Sequence, residues 1–156
     1  MAYLMTLPGF IFTLYLAWTD IRTRLVPRSI VLLGFLVQGL TLVVYSLAGH
    51  GIAPLVTAVV LCLGSTGIQF FLALVRPGAL GLGDVTATSL MAFTIGPLGW
   101  TTTLVWWLLM GVFGLGSLAV GRLGKDRGKR ADTLAFVPVI LVAAAVATAA
   151  TALLGG

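Results

Sequence analysis

Residues 52–75 read IAPLVTAVVLCLGSTGIQFFLALV, a run of 24 residues that contains no charged side chain. As an α-helix this run would be about 36 Å long at 1.5 Å per residue, and the hydrocarbon core of a bilayer is about 30 Å thick. A run of this length and composition is typical of a helix that crosses a membrane. The stretch therefore predicts a membrane-spanning helix, and with it a membrane protein.

The composition of the whole chain agrees with this prediction. Of the 156 residues, 60% are hydrophobic and 8% are charged, and the mean hydropathy is +1.15. A soluble domain carries about 25% charged residues, so the composition excludes an ordinary soluble protein. The length predicts a single transmembrane domain over residues 1–156.

Five further apolar runs lie at 2–19, 29–48, 85–96, 98–120 and 133–154. The run at 85–96 has 12 residues, about 18 Å of helix, and it completes a crossing only if its first turn is recessed below the membrane surface. Backbone groups in lipid must be hydrogen-bonded within the protein, which favours helices. The sequence predicts an all-α, polytopic membrane protein, a bundle of six transmembrane helices surrounded by lipid. Close helix packing is expected at Gly64, Gly67, Gly111, Gly114 and Gly116.

The basic residues predict the orientation of the bundle. Net charge is +5 and the pI is about 10.2. All nine basic residues lie in the connections after the first, third and fifth helices: Arg22, Arg24, Arg28, Arg76, Arg122, Lys125, Arg127, Lys129 and Arg130. The positive-inside rule makes this face cytoplasmic and both termini extracytoplasmic. Topology thus explains the basic charge, and nucleic acid is not expected as a partner.

The acidic residues are few, and two of them stand beside apolar segments. The chain has four aspartates and no glutamate. Asp126 and Asp132 lie in or beside a charged segment, whereas Asp20 ends the first apolar run and Asp84 begins the fourth. Ionisable groups at membrane depth mark functional sites. In the predicted topology both acids lie on the cytoplasmic side, at the same depth.

Two facing carboxyl groups in a low-dielectric site share a proton, which is what aspartyl proteolysis requires. The ionised carboxylate takes a proton from water, and the protonated one donates to the scissile carbonyl. A metallohydrolase needs more ligands than one cysteine, Cys62, and one histidine, His50, so neither metal nor cofactor is expected. Gly81 and Gly83 lack Cβ atoms, which allows a peptide backbone to approach closely before the fourth helix.

Three segments resemble the type IV prepilin peptidases, which are GxGD intramembrane aspartyl proteases. Residues 17–27, AWTDIRTRLVP, are similar to the first-aspartate motif, and residues 78–85, GALGLGDV, are similar to the second. Residues 134–138, LAFVP, resemble the Phe-x-Pro region of the last helix. The resemblance implies an endopeptidase of the cytoplasmic (inner) membrane that removes the short leader of prepilin-like, single-span proteins. Asp20 and Asp84 would then be the catalytic pair.

The chain departs from the longer members of that family in three respects. It lacks their four-cysteine cytoplasmic region, so it is similar to the short form found with tight-adherence pili and archaeal preflagellins, and methyl transfer is not expected. After Pro27 the family usually has Asn, where this chain has Arg28. Two residues after the second aspartate it usually has Lys, where this chain has Thr86. The residues expected to bind substrate or shape the site are Gly81, Gly83, Pro27, Arg28, Thr86 and Gln69.

Two other functions fit parts of the sequence. Arg28 and Thr86 favour a catalytically inactive relative that serves as a scaffold or assembly component of a pilus or secretion system. A small proton or cation transporter would use the two acids and would need polar residues across the membrane, where the sequence offers Gln38, Gln69 and hydroxyl groups. Gln69 itself either lines the cleft of the peptidase or makes a hydrogen bond between helices.

Overall fold

The fold is an all-α bundle. A computed structural model describes residues 2–75, 81–123 and 135–154, and within these residues there are α-helices and short helical turns but no strand. The six α-helices are α1 (Leu7–Thr23), α2 (Arg28–Tyr45), α3 (Ala53–Val75), α4 (Leu82–Ile95), α5 (Trp100–Leu123) and α6 (Val137–Leu154). The predicted helical class is confirmed, and six helices agree with the predicted number.

Among the described residues, four helical stretches are long and apolar enough to cross a membrane: Tyr3–Thr23, Arg28–His50, Ala53–Val75 and Val137–Leu154. The first joins a 3₁₀ turn to α1, and the second joins α2 to a π-helical turn. The chain is therefore a multi-pass membrane protein. Arg76 and the basic residues from Lys125 to Arg130 lie outside the described residues.

The helix ends differ from the apolar runs in ways that matter for the two acids. α1 continues past the predicted end of its run at residue 19 and stops at Thr23, so Asp20 lies in its last turn. Arg24 ends the helix in a left-handed conformation with φ 57°, and its N–H donates to the Asp20 carbonyl. α4 begins at Leu82, which places Asp84 inside its first turn. Polar residues continue both helices because backbone hydrogen bonding, not hydropathy, sets where a helix ends.

α4 is the central helix of the bundle. It has 14 residues, about 21 Å at 1.5 Å per residue, and it contacts each of the other five helices. From Ala87 to Ile95 every side chain is buried, and Leu90, Met91 and Ile95 pack in one core with Trp106 of α5 and Ile140 of α6. A helix enclosed by others has little contact with lipid, so it does not need the length of a lipid-facing span.

Small residues allow three neighbours to approach α4 closely. A Cβ added at Gly96, just after α4, would lie 2.7 Å from the Ala58 Cα in α3, and one at Gly34 of α2 would lie 2.8 Å from Leu90 Cδ2. At Gly9 of α1, an added Cβ would overlap the Thr94 side chain. These positions show the small-residue packing that is common between membrane helices.

The packing predicted at five other glycines is confirmed at one of them. A Cβ at Gly114 would lie 3.2 Å from Phe136 Cε2. For Gly64, Gly67, Gly111 and Gly116 the prediction is wrong, because a Cβ at each would meet no described residue within 4 Å. These four glycines lie on exposed faces of α3 and α5.

Buried polar side chains link the helices to one another. The Gln38 amide of α2 donates to the Met5 carbonyl at 3.0 Å and accepts the Gly9 N–H at 2.9 Å. The Trp106 indole donates to the Ile140 carbonyl at 3.1 Å. Gln38 therefore holds α2 against the start of α1, and both ends of its amide are occupied.

Candidate active site

α1 and α4 lie side by side in opposite directions, and their register brings the two acids level. Gly9, near the start of α1, contacts Thr94 near the end of α4, and Val26, just after α1, lies beside Gly83 at the start of α4. Asp20 follows Gly9 by 11 residues, and Asp84 precedes Thr94 by 10 residues. At 1.5 Å per residue these distances are about 16 Å and 15 Å along the helix axes.

The two carboxyl groups are also close enough to interact. The charge of Asp20 exerts a repulsive coulombic interaction on the Asp84 carboxyl group. The end of the bundle that carries these acids is called the aspartate end below. Arg22, in the last turn of α1 at this end, lies with its guanidinium 4.2 Å from the centre of the Trp18 ring.

Asp20 is buried, and its carboxylate binds the start of α6. Its side chain is 6% exposed, and Oδ2 accepts the backbone N–H of Val137 at 3.2 Å. The first N–H groups of a helix lack partners within the helix and carry partial positive charge, which favours an anionic partner. Asp20 therefore acts as a cap for a helix 117 residues further along the chain.

The local sequence of α6 explains why it needs a partner from another helix. The residue before α6 is Phe136, which has no side-chain oxygen to serve as an N-cap. Pro138 has no N–H, and the N–H groups of Val139 and Ile140 bond to the Phe136 carbonyl at 3.0 and 3.1 Å. The Val137 N–H is then the donor left over, and Asp20 accepts it.

Asp84 is held by its own turn of α4. Its Oδ2 accepts the Gly81 N–H at 3.1 Å, while the Gly81 carbonyl accepts the Asp84 N–H at 3.0 Å. This is the reach-back half of a capping box, and it holds the carboxylate over the helix N-terminus. The side chain is half-buried, so that the candidate site reaches the molecular surface here.

The two glycines of the GxGD sequence have different surroundings. Gly81 is exposed, and a Cβ there would lie 3.3 Å from Asp84 Oδ2. A Cβ at Gly83 would lie 3.0 Å from Val26 Cγ2. Gly83 thus lets the loop between α1 and α2 approach α4, and Gly81 leaves room for the carboxylate.

The other predicted site residues lie around this end with structural contacts of their own. Pro27 precedes α2, and its carbonyl accepts the N–H groups of Ile30 and Val31. Arg28 begins α2 with an exposed side chain. The Thr86 hydroxyl donates to the Gly83 carbonyl at 2.8 Å, within the first turns of α4.

Gln69 lies on α3, which contacts a different side of α4 from α1. Its side chain is 3% exposed, and its Oε1 has no hydrogen-bond partner among the described residues. The helix-to-helix bond considered for this residue is therefore not made by its oxygen. Sequence reasoning missed the Val137 N–H, although Phe-Val-Pro at the start of an apolar run indicates a helix without a cap of its own.

The arrangement joins two carboxyl groups from separate helices with two helix N-termini, those of α4 and α6. Neighbouring carboxyl groups that repel each other favour a state in which one is protonated and one is ionised. Such a pair has the acid and the base that water activation requires.

The chain matches one known family in its sequence. A model of the Type IV leader peptidase family matches residues 7–119, which is well over half of the chain. The match extends from the start of α1 into α5, so it contains both aspartates and the GxGD sequence, while Phe136 and Pro138 lie beyond it. The chain has no match among curated proteins or solved structures. The family match confirms the resemblance seen in the motifs, and the chain belongs to the type IV leader peptidase family.

Proposed function

We propose that this protein is an intramembrane aspartyl endopeptidase that removes the short leader of prepilin-like, single-span membrane proteins. The observation that carries the proposal is the antiparallel packing of α1 on α4, which brings Asp20 and Asp84 to equal heights on neighbouring helices. Membership of the leader peptidase family supports the reaction class. One domain formed by the whole chain carries the activity.

The reaction proceeds through a water molecule held between the two carboxyl groups. The ionised carboxylate takes a proton from water as the water oxygen bonds to the scissile carbonyl carbon, and the protonated carboxyl donates to the carbonyl oxygen. One hydroxyl of the resulting diol returns its proton to the ionised carboxylate as the carbon–nitrogen bond breaks, and the leaving nitrogen takes the proton of the other carboxyl group, so the pair again holds one proton. Asp20 and Asp84 fill these two roles as a unit, because coupled groups share one proton.

Cleavage takes place at the cytoplasmic face of the cytoplasmic membrane. Arg22, Arg24 and Arg28 cluster at the aspartate end, and the positive-inside rule assigns that end to the cytoplasm, with both termini on the other side. The substrate helix then lies along the bundle in the lipid, and its hydrophilic leader extends to the cytoplasm, where water reaches Asp84.

Co-expression with candidate prepilins tests the proposal. The wild-type protein should convert the prepilin to a shorter form, measured by gel mobility and by mass. Asp20→Asn and Asp84→Asn should each abolish the conversion while the protein remains in the membrane. Asp126→Asn, which removes an acid from the basic segment, is the matched control and should cleave normally. Cleavage by either of the first two variants would exclude the two-carboxylate mechanism.

An inactive scaffold is the second candidate, and Arg28 and Thr86 favour it because they replace the residues usual in the family. It predicts that the wild type cleaves none of several prepilins and still co-purifies with components of a pilus or secretion system. A transporter is disfavoured because Gln38, a polar residue far from the aspartate end, has both ends of its amide engaged. Proton flux through the protein in liposomes would support the transporter function instead.

A further inference from the structure

Gln69 is a buried amide with an unused hydrogen-bonding position. The chain has two glutamines, and both are buried. Gln38 uses its oxygen and its nitrogen to join α1 and α2. Gln69 Oε1 has no partner among the described residues. Burying a polar atom without a partner destabilises a fold, so such an atom needs an explanation.

The depth of Gln69 matches that of the two acids. α3 and α4 are antiparallel, because Ala58 contacts Gly96 while the Thr66 hydroxyl donates to Ser89 Oγ at 2.7 Å. Gln69 lies three residues beyond Thr66, and Asp84 lies five residues before Ser89. These steps are about 4.5 Å and 7.5 Å along the axes, so Gln69 lies within about 3 Å of the height of Asp84.

The face of α3 that carries Gln69 packs on α4, and one side chain of α5 reaches it. Ser65, one turn earlier on the same face, accepts the Trp107 indole N–H at 3.0 Å. One turn beyond Trp107 on α5 is Gly111, and a Cβ there would meet no described residue within 4 Å. Trp107 therefore joins α3 to α5, and one turn nearer the aspartate end Gly111 of α5 has no described neighbour, while Gln69 of α3 is buried.

We propose that Gln69 binds the unwound backbone of the substrate next to the scissile bond, where α3 packs on α4 at the height of the acids; this rests on the proposed peptidase function. A helix must unwind before a carboxylate-activated water can reach its carbonyl carbon, and unwinding leaves N–H and C=O groups without partners in an apolar setting. A primary amide offers an acceptor oxygen and a donor nitrogen, which match those of one peptide group. Gln69 is a positioning residue, and the acids carry out the chemistry.

The substitution Gln69→Met tests this assignment, because it keeps the length of the side chain and removes its hydrogen bonds. With purified enzyme and a prepilin peptide in detergent, KM should rise about 2- to 13-fold for each hydrogen bond lost, with kcat changed less. Binding of the same peptide to the inactive Asp84→Asn protein should weaken by the same factor when Gln69→Met is added.

The matched control is Gln38→Met, which removes a buried amide whose two ends are engaged. It should lower the unfolding temperature and leave the KM of the folded enzyme unchanged. Gln69→Met should leave the unfolding temperature unchanged or raise it.

An unchanged KM and peptide affinity in Gln69→Met, with a wild type that cleaves, would overturn the role of Gln69 alone. Loss of stability without a change in KM would show a structural role instead. Absence of cleavage by the wild type would contradict the proposed function, while the binding measurement would still test Gln69.

Discussion

Replacing the Asp20 carboxylate tests its hydrogen bond to the start of α6. Asn keeps an oxygen that can accept the Val137 N–H, whereas Ala and Leu leave that N–H without a partner in a buried site. A buried donor without an acceptor costs about 1–3 kcal/mol. The three replacement residues are uncharged, so differences in stability among the variants do not include the effect of removing the charge of Asp20. Leu also controls for the volume that Ala removes. We expect Asp20→Ala and Asp20→Leu to be less stable than Asp20→Asn by about 1–3 kcal/mol, roughly 5- to 150-fold in the unfolding constant.

The assay is reversible denaturation of the purified protein in detergent micelles. Trp106, one of four tryptophans in the chain, donates to the Ile140 carbonyl and is fully buried against α6, so its share of the tryptophan fluorescence changes when α5 and α6 separate. Each variant is titrated under identical conditions, and the wild type provides the reference. If Ala and Leu match Asn within about 0.5 kcal/mol, the contact with Val137 does not stabilise α6 and the account of the cap is wrong. Cleavage should be lost in all three, which separates stability from activity.

Three further predictions concern packing. Gly9→Ala should destabilise the bundle by about 1–3 kcal/mol, because its Cβ would overlap the Thr94 side chain. Gly39→Ala is the control: its Cβ would lie 3.8 Å from the nearest neighbour, so stability should change by less than about 1 kcal/mol. Denaturation in micelles measures the stability of both variants. Trp106→Phe should cost about 1–3 kcal/mol through its lost hydrogen bond and the space it leaves, and unchanged stability would contradict that bond. Gly83→Ala should lower kcat/KM roughly tenfold or more with little change in stability, since its Cβ would displace the loop after α1; normal kinetics would refute this.

The sequence predicts the helices well because membrane crossing depends on the length of apolar runs. The run at 52–75 becomes α3 over Ala53–Val75, and the short run at 85–96 becomes the short helix α4. α4 can be short because other helices enclose it, and hydropathy cannot predict this enclosure. That follows only from its contacts with the other helices.

The site is predictable in part. The GxGD sequence indicates Asp84, and the topology places Asp20 on the same side, but the equal heights depend on where Gly9 meets Thr94. The Val137 partner of Asp20 lies too far along the chain for a local pattern to indicate it. The glycine prediction failed at four positions because small size permits close packing without specifying which face of a helix has a neighbour.

In the proposed peptidase Asp20 has two duties, proteolysis and the capping of α6, and this limits how such an activity can be lost over time. A descendant that no longer needs proteolysis has no reason to retain the charge at position 20. It still needs an acceptor there for the Val137 N–H at the start of α6. Degenerate copies of this protein should accordingly carry Asn or another short acceptor there more often than an aliphatic residue. The residue opposite, Asp84, caps only its own turn and should drift more freely.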